Sequence, residues 1–379
     1  MTVPAAARPP LPEGGGHRVL MVIDHLDMGG AQRHVTLLAT ALVERGHEVH
    51  VLHTGPPIVH LDPRVQVRRL LAERVARREE PYLEALVMRY AMEVRPTVMH
   101  AHLFASALAS ARTAHRLQAP LVISHHSAGT WQEAEDRQVL RQALDQASYH
   151  FTASPQIRAF LLEQGLPARL VEFLPNAIRV PQRPPDRSLR GALQVGFLGR
   201  FDVDKDPVLA VEALAQAHAL GSRARLEMRG GGPLAADVRQ AVTDRGLAGH
   251  VKVAGFVRDV EKFYRRIDVL LLSSRSEGMP LVVLEAMGHE LPVVATRVGA
   301  VPLEVADGMT GLLAEPGDAG GLGEALAWLE AHPAERLRMG RQARRRLQRH
   351  FSLDRMTARV TAVYDRVAGA SAPRARTAT

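Results

Sequence analysis

The sequence predicts an α/β protein made of two parallel-sheet domains in tandem, and three observations carry that prediction. Short apolar segments alternate with helical stretches along most of the chain, the pattern of a parallel sheet covered by helices. The alternation runs twice, and the stiff polar stretch Pro181-Gln-Arg-Pro-Pro-Asp-Arg-Ser interrupts it with the composition of a linker. A length of 379 residues is also too great for one comfortable core.

Taken in order, residues 1–16 are rich in Pro, Ala and Gly and lack an apolar h-region, so they are expected to form a disordered tail and not a signal peptide. The first domain, residues 17–185, has strands expected at Val19–Ile23, Glu48–His53, Val65–Arg69, Thr97–Ala101, Leu121–Ser124, His150–Ala153 and Leu170–Phe173. Helices such as Gln32–Arg45 and Pro81–Val94 fall between them. The second domain, residues 186–350, repeats the pattern at Val195–Leu198, Arg225–Met228, Val251–Val253, Val269–Leu272, Val293–Ala295 and Leu312–Ala314. An amphipathic helix is expected over residues 351–367 and a second disordered tail over 368–379. Two such units in tandem predict a ligand cleft between them.

Composition narrows the function. Hydrophobic residues make up 46%, enough for two cores, but no apolar run reaches the roughly 18 residues that span a membrane. The absence of cysteine excludes disulfides and Cys-ligated zinc and places the chain, as an expectation, in the cytoplasm. A net charge of +8 favours anionic partners. Aromatic residues at 4% argue against stacking platforms for single-stranded nucleic acid.

The most informative chemistry lies in Ser-Arg-Ser-Glu277-Gly-Met-Pro280-Leu-Val-Val-Leu-Glu285-Ala-Met. Pro280 suits the first turn of a helix, with Glu277 in the loop before it and Glu285 more than one turn inside. A helix start of this kind presents unpaired N–H groups to a phosphate. The segment thus offers an anion seat with a carboxylate at each edge, as a sugar nucleotide requires.

Three glycine-bearing turns follow predicted strands. In Gly199-Arg200-Phe-Asp202-Val-Asp204-Lys205-Asp206, Arg200 and Lys205 are placed to neutralise a diphosphate. Lys205 stands out because Lys252 and Lys262 are the only other lysines. A solvated charged turn is the plainer alternative. Asp202 and Asp204 form an Asp-x-Asp pair, but Lys205 would oppose a metal there. In Arg229-Gly230-Gly231-Gly232-Pro233-Leu234, the glycines permit close approach to a ligand or simply a tight turn, and Pro233 is expected to start a helix. Met28-Gly29-Gly30-Ala-Gln32-Arg33 lacks dinucleotide-fingerprint spacing. It is a phosphate approach with Arg33 as anion partner, or a plain turn.

His100, His102, His125 and His126 lie near carboxyl ends of predicted strands, with His100 and His102 on one face. Without cysteine or matched carboxylates, no metal site is expected. Hydrogen bonding to a sugar is the reading for His102 and His126, with structural roles open for His100 and His125. Ser154 and Leu174-Pro175-Asn176-Ala177 read as structural, and Arg341–Arg349 as a solvated helix face.

Gly199-Arg200-x4-Lys205, Gly231-Gly232-Pro233-Leu234, the Glu277/Glu285 pair, Pro292-Val-Val-Ala-Thr and Asp307-Gly-Met-Thr-Gly-Leu-Leu resemble, in order, the retaining glycosyltransferases of family 4. Gly29-Gly30-Ala31, His100-Ala-His102, the His126 region and Leu-Pro-Asn176 extend the resemblance over about residues 17–367. It implies a GT-B fold, two Rossmann-like domains facing across a cleft, with the final helix crossing back to the first domain. It implies a nucleotide-diphosphate sugar, UDP or GDP, as co-substrate with no obligatory metal or other cofactor.

By the resemblance, Arg200 and Lys205 stabilise the leaving diphosphate and Glu285 accepts from the ribose. Glu277 binds the donor sugar, with the amides of Gly278, Met279 and Leu281 nearby. Gly199, Gly231, Gly232 and Gly30 approach the donor. His126 meets the sugar or the acceptor, and Arg33, His102 and Asn176 lie on the acceptor side. Gln32, Met279 and Ala177 depart from the common pattern, which leaves sugar identity and acceptor contacts open. The expected acceptor is a hydroxyl, lipid-linked or on a polysaccharide, with peripheral contact to an anionic membrane and no nucleic-acid partner. A phosphorylase or epimerase on the same fold, a non-catalytic binding subunit and a dinucleotide dehydrogenase are the competing readings.

Overall fold

The computed structural model describes residues 15–27, 29–55, 61–72, 80–126, 141, 143–182, 191–257 and 259–371. The chain clusters into two compact units, Met1–Pro175 with Leu353–Thr379, and Asn176–Ser352. Both expected tails lie largely outside the described residues, as does most of the Pro-rich linker.

The first unit holds a seven-stranded sheet in the order β3-β2-β1-β4-β5-β6-β7. Its strands are β1 (Arg18–His25), β2 (Glu48–Thr54), β3 (Gln66–Leu71), β4 (Val98–His102), β5 (Leu121–His125), β6 (Tyr149–Thr152) and β7 (Val171–Phe173). Every pairing is parallel. The central strands β1, β4 and β5 are buried almost throughout, because helices cover both faces. Those helices include α1 (Gly30–Glu44), α2 (Glu80–Val94), α3 (Phe104–Leu117) and α4 (Pro155–Glu163). Ser154, read as structural, caps α4 by accepting from the Ile157 amide at 3.2 Å.

The second unit repeats the plan with six strands in the order β10-β9-β8-β11-β12-β13. They are β8 (Gln194–Leu198), β9 (Arg225–Arg229), β10 (Val251–Ala254), β11 (Val269–Leu272), β12 (Val293–Thr296) and β13 (Gly311–Ala314), again all parallel. Its helices are α5 (Pro207–Ala219), α6 (Ala235–Asp244), α7 (Val260–Arg266), α8 (Leu281–Gly288), α9 (Val301–Glu304), α10 (Ala319–Ala331) and α11 (Pro333–His350). Each sheet begins 3-2-1-4, the doubly wound order in which strand direction of travel reverses beside the first strand.

The final helix, α12 (Leu353–Ser371), belongs to the first unit, where Tyr364 is buried and its hydroxyl meets His100 Nδ1 at 2.6 Å. It runs past the expected end at residue 367 through Ala368, Gly369 and Ala370, with the single glycine flanked by two strong helix formers. The units also divide ahead of the expected boundary at 185/186. Asn176 donates to the Met279 carbonyl at 2.7 Å and Ile178 pairs with Ser352, so residues from 176 onward belong to the second unit.

Candidate active site

The second unit's site is built from two loops at its topological switch point. Residues 199–206 leave the carboxyl end of β8, and residues 273–280 leave the adjacent β11. Lys205 Nζ lies 2.6 Å from both carboxylate oxygens of Glu277. Glu277 is nearly buried, with 6% of its side chain exposed against 22% for Lys205. Ser274 Oγ donates to the same carboxylate at 2.7 Å.

The backbone fixes this pair. Asp202 Oδ1 accepts from the Lys205 amide at 3.1 Å. Ser273 Oγ donates to the carbonyls of Lys205 and Asp206 at 3.1 and 2.8 Å. The amide of Arg275 donates to the Asp204 carbonyl at 2.7 Å, and its guanidinium reaches Asp206 Oδ2 at the same distance. Asp206 also caps α5 by accepting from Leu209. Of the Asp-x-Asp pair, Asp202 is engaged by the protein itself, since its Oδ2 also pairs with Arg200 at 2.9 Å, while Asp204 is exposed. Arg200 is 64% exposed, so that ion pair is screened and contributes little. Redirecting the guanidinium to a ligand costs correspondingly little.

The glycine turn after β9 lies against the first loop. The Gly199 amide donates to the Arg229 carbonyl at 3.0 Å, Phe201 to Gly231 at 2.9 Å, and Leu234 to Phe201 at 2.9 Å. Gly230 and Gly232 have φ of +150° and +152°, and a Cβ on either would lie 1.8 or 2.5 Å from the carbonyl oxygens of Gly199 and Phe201. The turn needs glycine so that one backbone can lie on another. Pro233 does not begin the helix as expected; α6 opens two residues later, at Ala235, after a Leu234 cap.

Pro280 likewise stands at the N-cap of α8, one residue ahead of the expected position, and no side chain caps that end. The Val283 amide donates to the Pro280 carbonyl at 3.0 Å, and no side chain of the cap residue takes the other first-turn N–H groups. Glu285, on the second turn, is half-buried and accepts from the Tyr264 hydroxyl at 2.9 Å. Met279 is buried, its sulfur and carbonyl receiving the Asn176 amide and side chain at 3.0 and 2.7 Å. Asn176, expected on the acceptor side, therefore braces the Glu277–Leu281 loop.

Two residues that sequence reasoning passed over support Glu277. Gly299 has φ of +52°, and a Cβ there would lie 2.0 Å from the Glu277 carbonyl oxygen. Glu304 is fully buried, and burial, reinforced by the Glu277 charge and opposed by Lys205, pushes its carboxyl well above the ordinary value of 4.5. The fold therefore favours its protonated form. Its signal in the sequence was only an acidic residue within the apolar run Val301-Pro-Leu-Glu-Val. The stretch Arg341–Arg349 is not simply a solvated face. Arg344 donates to the carbonyls of Gly288 and Pro181, and Arg346 to those of Leu303 and Glu304.

In the first unit, Gly30 is the exposed first residue of α1 and Arg33 is exposed on the same helix. Gln32 is buried and meets His25 Nδ1 at 3.2 Å. His100 is satisfied by Tyr364 and by Ser124 Oγ at 2.8 Å, a structural role. His125 meets His150 Nδ1 at 3.1 Å. His102 Nδ1 lies 3.1 Å from His126 Nε2. Burial holds His100 at about 3 and His102, His125 and His126 well below the ordinary 6.5, so all four are neutral at pH 7.

No helix among the described residues is long and apolar enough to cross a membrane. The family model described as Glycosyltransferase Family 4 matches residues 28–180, and that described as Glycosyl transferases group 1 matches residues 192–332. The chain is 28% identical to the D-inositol 3-phosphate glycosyltransferase of Actinosynnema mirum, over 89% of this chain and 92% of that one. Among solved structures it resembles sucrose-phosphate synthase from Thermosynechococcus elongatus, with a TM-score of 0.81 and 21% identity, covering 93% of this chain and all of that one. It also resembles Anabaena HepE in complex with UDP-glucose, with a TM-score of 0.79 and 18% identity, covering 92% and 100%. The two doubly wound units, the ordered motifs and these matches together show that the chain belongs to glycosyltransferase family 4 and has the GT-B fold.

Proposed function

We propose that the enzyme moves a sugar from a nucleotide-diphosphate donor to a hydroxyl acceptor with retention of anomeric configuration. The carrying observation is the part-buried Lys205–Glu277 pair, 2.6 Å apart beside the uncapped start of α8 at the switch point of the second sheet. A lysine ammonium has three donors, and Glu277 engages it from one side only. Another face remains for a phosphoryl oxygen.

In this reading Arg200, Lys205 and the amides of Gly278, Met279 and Leu281 meet the charge that builds on the diphosphate as the glycosidic bond breaks. Lys205 and the backbone amides are preorganised donors, and Arg200 joins them by leaving an exposed ion pair with Asp202. Glu285 accepts from the ribose, and its Tyr264 partner fixes its rotamer. Glu277 binds the sugar near the reacting carbon and is not assigned a covalent role. The glycines of the 199 and 230–232 turns bring backbone close to the nucleotide. His126 is assigned a contact with the sugar or the attacking hydroxyl, with Gly30 and Arg33 nearby on α1. The neutral His126 accepts or donates one hydrogen bond without adding charge.

The Anabaena relative solved with UDP-glucose supports a uridine donor, with GDP-sugars the next to test. The inositol-phosphate enzyme makes a phosphorylated cyclitol one acceptor class to examine beside lipid-linked and polysaccharide hydroxyls. The test is a mass-spectrometric screen of UDP-, GDP- and TDP-sugars against these acceptors, with NMR of the product's anomeric proton. The reading predicts nucleotide release coupled to a product of the donor's own anomeric configuration. An inverted product, or turnover only with inorganic phosphate as acceptor, overturns it.

A further inference from the structure

The first unit brings together three histidines that no sequence spacing connects. His34 lies in the second turn of α1, His102 ends β4, and His126 follows β5. One ring nitrogen from each lies within 4.8 Å of the other two, the only such group of three metal-binding side chains among the described residues. His34 and His102 are buried and His126 is half-buried. The rings lie against one another: His34 and His126 meet edge-on with centroids 4.9 Å apart, while His102 and His126 stack at 5.4 Å.

We propose that His34, His102 and His126 form a binding site for a borderline divalent transition-metal cation, zinc above all, with one coordination position left open. Zinc–nitrogen bonds of about 2.0–2.1 Å at tetrahedral angles put ligand nitrogens roughly 3.3–3.4 Å apart. His102 Nδ1 and His126 Nε2 stand at 3.1 Å, so a small opening seats a cation between them. Closing the widest pair to that spacing needs movement of about 1.4 Å, within reach of a side-chain rotation.

The chemistry of the donors agrees. Zinc takes neutral imidazole, and the groups that act electrostatically on His102 and His126 are other histidines, with burial the largest cause of their neutrality. His102 Nε2 is buried without a hydrogen-bond partner among the described residues, so it can carry the ring's proton while Nδ1 holds the cation, and no bond made by Nε2 is broken. Three imidazoles with no fourth ligand grouped with them among the described residues match the open arrangement of zinc sites that keep a position for water or a substrate oxygen. A cation held there would tie α1 to the ends of β4 and β5 and stabilise the first unit by mass action.

The test uses the tag-free full chain, because its 18 histidines include exposed ones that bind metal weakly. Co²⁺ is titrated at pH 7.5 and followed by visible absorption, with Zn²⁺ as competitor. The proposal predicts one equivalent with the intense bands of a four-coordinate site, displaced by Zn²⁺ and weakened at least tenfold in His34→Gln and His102→Gln. Circular dichroism checks that the variants fold. X-ray absorption on the zinc-loaded wild type, which needs no variant, should show three imidazole nitrogens. A wild-type chain that takes up Co²⁺ only as a six-coordinate surface ion, or a zinc shell with fewer than three imidazoles, overturns the proposal.

Discussion

At the residue scale the account turns on Lys205 and Glu277. Removing either partner of a buried pair strands a charge. Lys205→Met should therefore cost about 3 kcal/mol in stability and lower turnover roughly 10²- to 10³-fold. Adding Glu277→Gln should restore most of the stability and none of the turnover. Denaturant unfolding beside kinetics of the single and double variants checks both halves. Recovery of activity in the double variant would mean that the pair only holds the fold. Glu304 offers a separate test. Its folded pKa is raised, so the native state keeps a proton that the unfolded chain releases above its ordinary value of 4.5. Stability is then lost as pH rises from 4.5 toward the folded pKa, by up to about 1.4 kcal/mol per pH unit. Glu304→Gln removes that slope, so its advantage in melting temperature over wild type should grow from pH 5 to pH 8. These charged residues differed in how far the sequence exposed them. Lys205 was legible as a rare lysine between acids, and Glu277 as the loop carboxylate before a proline. Glu304 was not, because an acid in a short apolar run says nothing of which charges the fold sets around it.

At the scale of elements, the thirteen strands among the described residues stand where the short segments predicted them; the central ones, buried on both faces, are largely apolar, while the edge strand β3 is mostly exposed. The ends moved. Thr97 and Ala153, expected within strands, lie outside β4 and β6. Pro280 and Pro233 stand before their helices and not inside them. Turn geometry decides such positions, and a proline fits both the cap and the first turn. The glycine turns were visible as glycines, but the reason for them was not. Gly230 and Gly232 carry the backbone of the Arg200 loop, and Gly299 carries that of Glu277. Gly299→Ala should therefore destabilise the second unit by about 1–3 kcal/mol from backbone strain alone and loosen the Glu277 loop. The measurable result is a lower melting temperature together with a raised KM for the donor. An unchanged melting temperature would show that the loop yields.

At the scale of the whole molecule, the buried histidines of the first unit and Glu304 of the second carry opposite pH dependences. In the first unit, His100, His102, His125, His126 and His150 are buried and neutral, each with its folded pKa below the ordinary 6.5 and His150 at about 4. The unfolded chain binds protons below 6.5 that this native unit refuses, so its stability is full above 6.5 and falls as pH drops from there. Each such histidine contributes up to about 1.4 kcal/mol per pH unit. Glu304 acts in the reverse sense on the second unit over pH 4.5 and above. Calorimetry from pH 7.5 to 5 should move one transition sharply down while the other holds or rises. A single transition that moves as one would contradict this separation. The tandem α/β plan was legible because the alternation runs twice in the sequence with one polar linker between the runs. The meeting of His34 with His102 and His126 was not, because it depends on the strand order 3-2-1-4 and on no spacing along the chain. The central claim, a diphosphate seat formed by Arg200, Lys205 and the start of α8, is tested most directly by calorimetric titration of UDP and GDP. The account predicts one site per chain for at least one of them, weakened tenfold or more in Arg200→Ala and further in the Arg200→Ala/Lys205→Met pair. Absence of binding for both nucleotides, or equal affinity in the double variant, would contradict it.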